Sequence, residues 1–144
     1  MDAKKILLAE DDPNDVELTL LGLRKHNLIN EVVVAHDGVE ALEYLQRRGR
    51  FADLPAGHPL VVLLDLKMPR MDGLEVLKRV KCDPALKAIP VVVLTSSHQE
   101  RDILESYDLG ANAYVVKPVD FQQFQEVVSQ LSLFWVLTNE TPCK

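Results

Sequence analysis

Cysteine is scarce in this chain: two of 144 residues, Cys82 and Cys143. They form no CxxC and no Cys/His cluster, which argues against a thiolate-built metal site. Isolated thiols suit a reducing compartment. Long apolar runs are also missing. The N-terminal run covers only Ile6 to Ala9, too short for a signal-peptide core. Nothing approaches the ~20 apolar residues of a membrane helix, so the expectation is a cytoplasmic protein with no membrane partner. Basic clusters are lacking too. Lys and Arg number 16 against 22 acids, for a net charge of -6, which argues against a general nucleic-acid surface. An acidic chain can still meet a metal cation or a partner's basic patch. Neither GxGxxG nor GxxxxGK[ST] occurs, so no motif supports a nucleotide or flavin binder. There are no internal repeats, low-complexity segments or interdomain linkers.

What is present is a regular alternation. Short β-branched or aliphatic runs occur at Lys5 to Ala9, Glu31 to Ala35, Leu60 to Leu64, Val91 to Leu94 and Ala113 to Val116. Between them, apolar residues recur at helical spacing: Val16, Leu20 and Leu23 with Leu21 beside them; Val39, Leu42 and Leu45; Leu74, Leu77 and Val80; Ile103, Leu104 and Tyr107. Phe121, Phe124, Val128, Leu131 and Trp135 predict a last helix. Residues 47–59, with two Pro and two Gly, predict a loop. Continuous rather than alternating apolar strands indicate a parallel sheet buried on both faces. Right-handed crossovers then give a doubly wound five-stranded α/β domain over residues 1–137, with 138–144 as a tail. Too few residues remain for an output domain.

In an open α/β sheet, ligands bind beyond the carboxyl ends of the strands. Glu10, Asp11 and Asp12 follow the first strand, Asp65 the third, Thr95 the fourth and Lys117 the fifth. The fold would bring them to one rim. Several carboxylates in one place repel unless something compensates. An all-oxygen site with retained waters suits Mg²⁺ or Mn²⁺. A divalent cation, a lysine and a hydroxyl around a carboxylate are the parts that stabilise a transferring phosphoryl group. The attacking carboxylate would become an acyl phosphate.

Glu10-Asp11, LLDLKMPRMDG around Asp65, VVVLTSS at the fourth strand and YVVKP at the fifth stand in order, each at a strand end. Together they resemble the receiver family of two-component response regulators over nearly the whole chain. The resemblance implies a flavodoxin-like sheet of order 2-1-3-4-5. It implies Asp65 as phosphoacceptor, Asp11 as a direct Mg²⁺ ligand, Glu10 as its water-mediated neighbour and the Lys67 backbone carbonyl as a further ligand. Thr95 would be the switch hydroxyl, Tyr114 the switch aromatic, and Lys117 the ion-pair partner of the phosphoryl oxygens. Lys67 and Ser97 occupy positions that influence how readily water attacks. The Lys117-Pro118 bond would be cis. The phosphoryl donor would be a phosphohistidine on a sensor histidine kinase. Beyond phosphoryl uptake and self-dephosphorylation, no enzyme activity is implied. The stretch RRGRFADLPAGHP and the aromatic end LSLFWVLTNETP are similar to small stand-alone regulators paired with bacterial phytochrome kinases.

Each residue also has a plainer reading. Asp12 reads as a helix cap, because Pro13 follows it. Asp72-Gly73 reads as a turn and cap. Thr95 also reads as a residue that satisfies backbone groups at a strand end, Lys117 as a solvated lysine and Tyr114 as a space filler. The histidines His26, His36, His58 and His98 lack ligand spacing. Leu133–Leu137 is apolar all round, which fits a homodimer surface formed with the last helices, or a fold-back onto the domain. Output would then be protein association. The alternatives are a constitutive interaction module, which loss of the acids or Lys117 would have favoured, and an aspartyl-phosphate hydrolase. The hydrolase needs a second acid two residues after its nucleophile, where Lys67 stands.

Overall fold

The computed structural model describes residues 5–25, 31–55, 57–118, 120, 122–123 and 126. Phe121, Phe124, Val128, Leu131 and Trp135 of the expected last helix, the Leu133–Leu137 surface, the tail, His26 and Cys143 lie outside these residues. The elements run β1 (Ile6–Ala9), α1 (Pro13–Lys25), β2 (Val32–Ala35), α2 (Gly38–Gln46), a 3-10 turn (Gly49–Phe51), β3 (Val61–Leu64), α3 (Gly73–Cys82), β4 (Val91–Thr95), α4 (Glu100–Asp108) and β5 (Ala113–Val116). The five strands form one sheet of order β2-β1-β3-β4-β5, and every neighbouring pair is parallel.

Apart from Thr95 at the end of β4, the strands are built of apolar and aromatic residues because each face of the sheet carries its own core. Leu7, Ala9, Val62, Leu64, Val91 and Val93 pack with α2 and α3 through Leu42, Leu45, Val76, Leu77 and Val80. Ile6, Leu8, Val61, Leu63, Val92 and Leu94 pack on the other face with Leu23 of α1. Successive strand residues thus alternate between two dry environments, as a sheet covered on both sides requires.

The helices start where short acids can cap them. Asp37 Oδ1 accepts the Glu40 N–H at 2.8 Å, and Asp72 Oδ1 accepts the Glu75 N–H at 3.0 Å. Asp12 Oδ1 accepts the Asn14 N–H at 2.9 Å, so Asp12 is the cap its neighbour Pro13 suggested. Gly73, just past its cap, is a matter of clearance. A Cβ there would collide with the Asp65 carbonyl oxygen and lie 2.7 Å from Leu66 Cα, while the Gly73 N–H donates to the Leu66 carbonyl at 2.7 Å.

Three expectations need correcting. On α4, Leu104 is 57% and Tyr107 48% exposed, and the fully buried residue is Ser106; of the apolar residues that mark this helix, only Ile103 is partly buried. On α1, Leu23 of the expected stripe is buried, but Leu21 beside it is exposed. Residues 47–59 are not simply a loop. Arg47 takes a left-handed backbone at φ 55° and its guanidinium donates to the carbonyls of Tyr44, Pro55 and Gly57. It also lies over the Tyr44 ring, 4.6 Å from the centroid, and Phe51 meets that ring edge-on. One arginine ties the segment together, and no local sequence pattern announces it.

Candidate functional site

The parallel register brings the rim together. Ala9 and Leu64 are partners across β1 and β3, so the residues that follow them, Glu10 and Asp65, emerge side by side. The Glu10 N–H donates to the Ala35 carbonyl at 2.9 Å and the Asp65 N–H to the Ala9 carbonyl at 3.0 Å. These bonds extend the ladder by one residue and fix both acids at the edge of the core, where Glu10 is 2% and Asp65 8% exposed. Asp11 turns outward to solvent. Carboxylate oxygens of Glu10, Asp11 and Asp65 lie within 4.8 Å of one another. At that spacing each pair of like charges repels by about 3 kcal/mol in a medium of intermediate polarity. The donor set is all oxygen, which fits a hard divalent cation. In the loop after Asp65, the Lys67 N–H approaches Asp65 Oδ1 at 3.3 Å, and the Lys67 side chain points to solvent.

Lys117 comes from the far side of the rim. Its N–H donates to the Thr95 carbonyl at 2.8 Å, and the Lys117-Pro118 peptide is cis, as expected. Its ammonium donates to Glu10 Oε1, to Asp15 Oδ2 at 2.9 Å and to Asp65 Oδ2 at 3.2 Å. Burial alone would disfavour the charged lysine, but the three acids outweigh it and hold the ammonium above its ordinary value. Glu10 is pulled both ways. Burial raises its carboxyl most, Lys117 opposes that and Asp65 adds to it, leaving the group at about 7.

Thr95 ends β4 fully buried, with the Ser97 N–H 3.4 Å from its Oγ1. The Ser97 hydroxyl donates to Asp102 Oδ2 at 2.5 Å, and its carbonyl accepts the Tyr114 hydroxyl at 2.8 Å. Ser97 is therefore the joint between Thr95, Tyr114 and the first turn of α4. Tyr114 is half-buried against the α2/α3 core, and burial pushes its hydroxyl up. Beside the rim lies an open cleft of about 630 Å³, lined among others by Asp11, Lys67, Asp72, Gln99, Arg101 and Asp102.

The structure brings Glu10, Asp11, Asp65, Thr95 and Lys117 to one end of the sheet, and Tyr114, opposite Val93 in the ladder, reaches toward it through the Ser97 carbonyl. It adds residues that reading missed. Asp15 bonds to Lys117 across 102 positions of sequence. Its signal was available: with a cap at Asp12, Asp15 falls in the first turn of α1, at the rim end of the helix. Asp102 is another, visible only through Ser97. Arg70 is a third, binding the cap Asp37 through two bonds of 3.0 and 3.2 Å and so tying the loop after Asp65 to α2.

Residues 6–129 match the response regulator receiver domain family. The chain is 39% identical over 139 residues to the response regulator Rcp1 of Synechocystis sp. (strain ATCC 27184 / PCC 6803 / Kazusa), covering 96% of this chain and 93% of that protein. A solved structure of Rcp1 is an Mn²⁺-bound form, with a TM-score of 0.77 at 39% identity, covering 92% of this chain and 94% of the other. The bacteriophytochrome response regulator AtBRR is similar at a TM-score of 0.84 and 56% identity, covering 94% of this chain and 96% of its own. The phosphorylated cyanobacterial phytochrome response regulator RcpA is similar at a TM-score of 0.77 and 44% identity, covering 94% of this chain and 95% of its own.

Proposed function

The chain belongs to the response regulator receiver family and is a homologue of phytochrome response regulators, and from that premise we propose that Asp65 accepts a phosphoryl group from a sensor histidine kinase. A bacterial phytochrome is the kinase its relatives favour, and such a transfer takes place in the cytoplasm. The observation that carries the reading is the shared end of the sheet. Asp65 stands within reach of a partly buried lysine and of two further carboxylates.

In the transfer, an Asp65 carboxylate oxygen forms a bond to phosphorus. The bond from phosphorus to the kinase imidazole breaks, and its electron pair stays on the ring nitrogen. Lys117 is placed to meet charge that gathers on the phosphoryl oxygens. Thr95, whose Oγ1 lies 3.4 Å from the Ser97 N–H, is placed to offer its hydroxyl. Glu10, Asp11, Asp65 and the Lys67 carbonyl would hold Mg²⁺ or Mn²⁺. The cation would offset their mutual repulsion and the phosphoryl charge. A shift of Thr95 toward the new group would pull on Ser97 and, through its carbonyl, on Tyr114. The β4–α4 segment is thus the element that the modification biases between two arrangements, and the readout is protein association.

Intact mass after incubation with Mg²⁺ and acetyl phosphate tests the reading. Wild type is expected to gain one acid-labile phosphoryl group. Asp65→Asn, nearly the same shape, is expected to gain none while keeping its unfolding midpoint within a few degrees. Equal uptake by Asp65→Asn would assign the acceptor elsewhere.

A further inference from the structure

The Lys117 ammonium has three N–H bonds, and all three are taken by carboxylates: Glu10, Asp15 and Asp65. Glu10 and Asp65 also belong to the trio whose oxygens converge within 4.8 Å. Asp15 does not. It reaches the rim from the first turn of α1, its side chain is 35% exposed, and Lys117 is its one ion-pair partner among the described residues. A phosphoryl group on Asp65 carries up to two negative charges in place of the carboxylate's one, and its oxygens need a donor from Lys117. Of the three bonds the lysine now makes, the one to Asp15 is free to be given up. It serves neither the acceptor nor the converging oxygens.

We infer that Asp15 is a positioning residue for phosphoryl uptake, holding the Lys117 ammonium at the rim and competing with the incoming group for it. The inference rests on Asp65 being the acceptor. Asp15 also adds a negative charge beside the path of an anionic donor, so it slows uptake by a second route. The same charge favours a cation at the neighbouring oxygens. Removing it therefore moves two readouts in opposite directions, which loosened structure would not do. Damage to the fold would weaken cation binding and uptake together.

The test compares the full chain with Asp15→Asn, which keeps the shape of the first helical turn. Phosphoryl uptake from acetyl phosphate is followed by intact mass at saturating Mg²⁺, and Mg²⁺ affinity by calorimetric titration. Uptake in Asp15→Asn is expected to be about fivefold faster, with Mg²⁺ affinity about twofold weaker, and the acceleration should shrink as salt is raised. Uptake that is equal or slower, in a wild type that does become phosphorylated, overturns the inference. If wild type takes up nothing, the Asp65 reading has failed. The contact is then judged by the side-chain ammonium signal of Lys117 in ¹⁵N-lysine-labelled protein. Faster hydrogen exchange in Asp15→Asn supports the hold on Lys117, and unchanged exchange overturns it.

Discussion

Two lysines carry sequestered ammonium groups at opposite ends of this sheet. At the carboxyl end, Lys117 sits among Glu10, Asp15 and Asp65. At the other end, Lys81 reaches from the last turn of α3 to the carbonyls of Lys87 and Ile89, at 3.2 and 2.8 Å, and to Asn112 Oδ1 at 3.3 Å. That same amide oxygen accepts the Val91 N–H at 2.9 Å. Both ammonium groups have three oxygen partners. The acids hold Lys117 above its ordinary value, whereas burial among neutral oxygens pulls Lys81 down to about 8. Oxygen atoms alone do not define a reactive site. Excess negative charge does, because it leaves one end of the sheet needing a cation and the other end already satisfied.

The contrast can be broken most severely at Lys117. Lys117→Met leaves buried carboxylates without their counter-charge, and in metal-free buffer near pH 7.5 it should cost about 3–5 kcal/mol. Urea unfolding with and without Mg²⁺ checks this, and the cation should restore part of the loss. A cost that Mg²⁺ leaves untouched would mean the lysine matters for packing and not for charge.

Glu10 sharpens the same end through pH. Its carboxyl lies at about 7 in the fold, above the unfolded value, so the folded state binds the proton more tightly. The stabilisation is full at pH values below the ordinary carboxylate range and is lost as pH rises through 7, a change of about 3 kcal/mol. Thermal midpoints of metal-free protein should fall over that window, and Glu10→Gln should flatten the fall. A slope that survives in Glu10→Gln would place the titrating group elsewhere.

Lys81 should give the opposite slope and the smallest effect. Its folded value is lowered, so the ammonium costs stability below pH 8, and that cost is relieved as pH rises from 8 toward the unfolded lysine value. The gain is about 1–2 kcal/mol, discounted for the part of the group that water reaches. Lys81→Met should abolish the rise and leave phosphoryl uptake from acetyl phosphate unchanged. Lost uptake would tie the two ends of the sheet together.

The sheet was legible in the sequence because a strand buried on both faces cannot hide: Leu60 to Leu64 and Val91 to Leu94 admit no polar residue. The acceptor, the acids and Lys117 were legible because they sit at strand ends, where topology alone gathers them. Side chains that act through another side chain were not. Asp102 is tied to the site through the Ser97 hydroxyl, and Asp15 through Lys117. Helix α4 misled because its inner position is a serine, Ser106, while Leu104 and Tyr107 face solvent. Arg47 was invisible because its role depends on a left-handed backbone and on carbonyls 8 and 10 residues away.

The missing side chain at Gly73 has a consequence for anyone recombining such domains. The carbonyl of Asp65 and the first residue of α3 share a gap that admits a hydrogen atom and nothing larger. Helix α3 and the acceptor loop are therefore inherited as one piece. A chimera spliced anywhere between positions 65 and 73 has to carry both edges of that gap from the same parent.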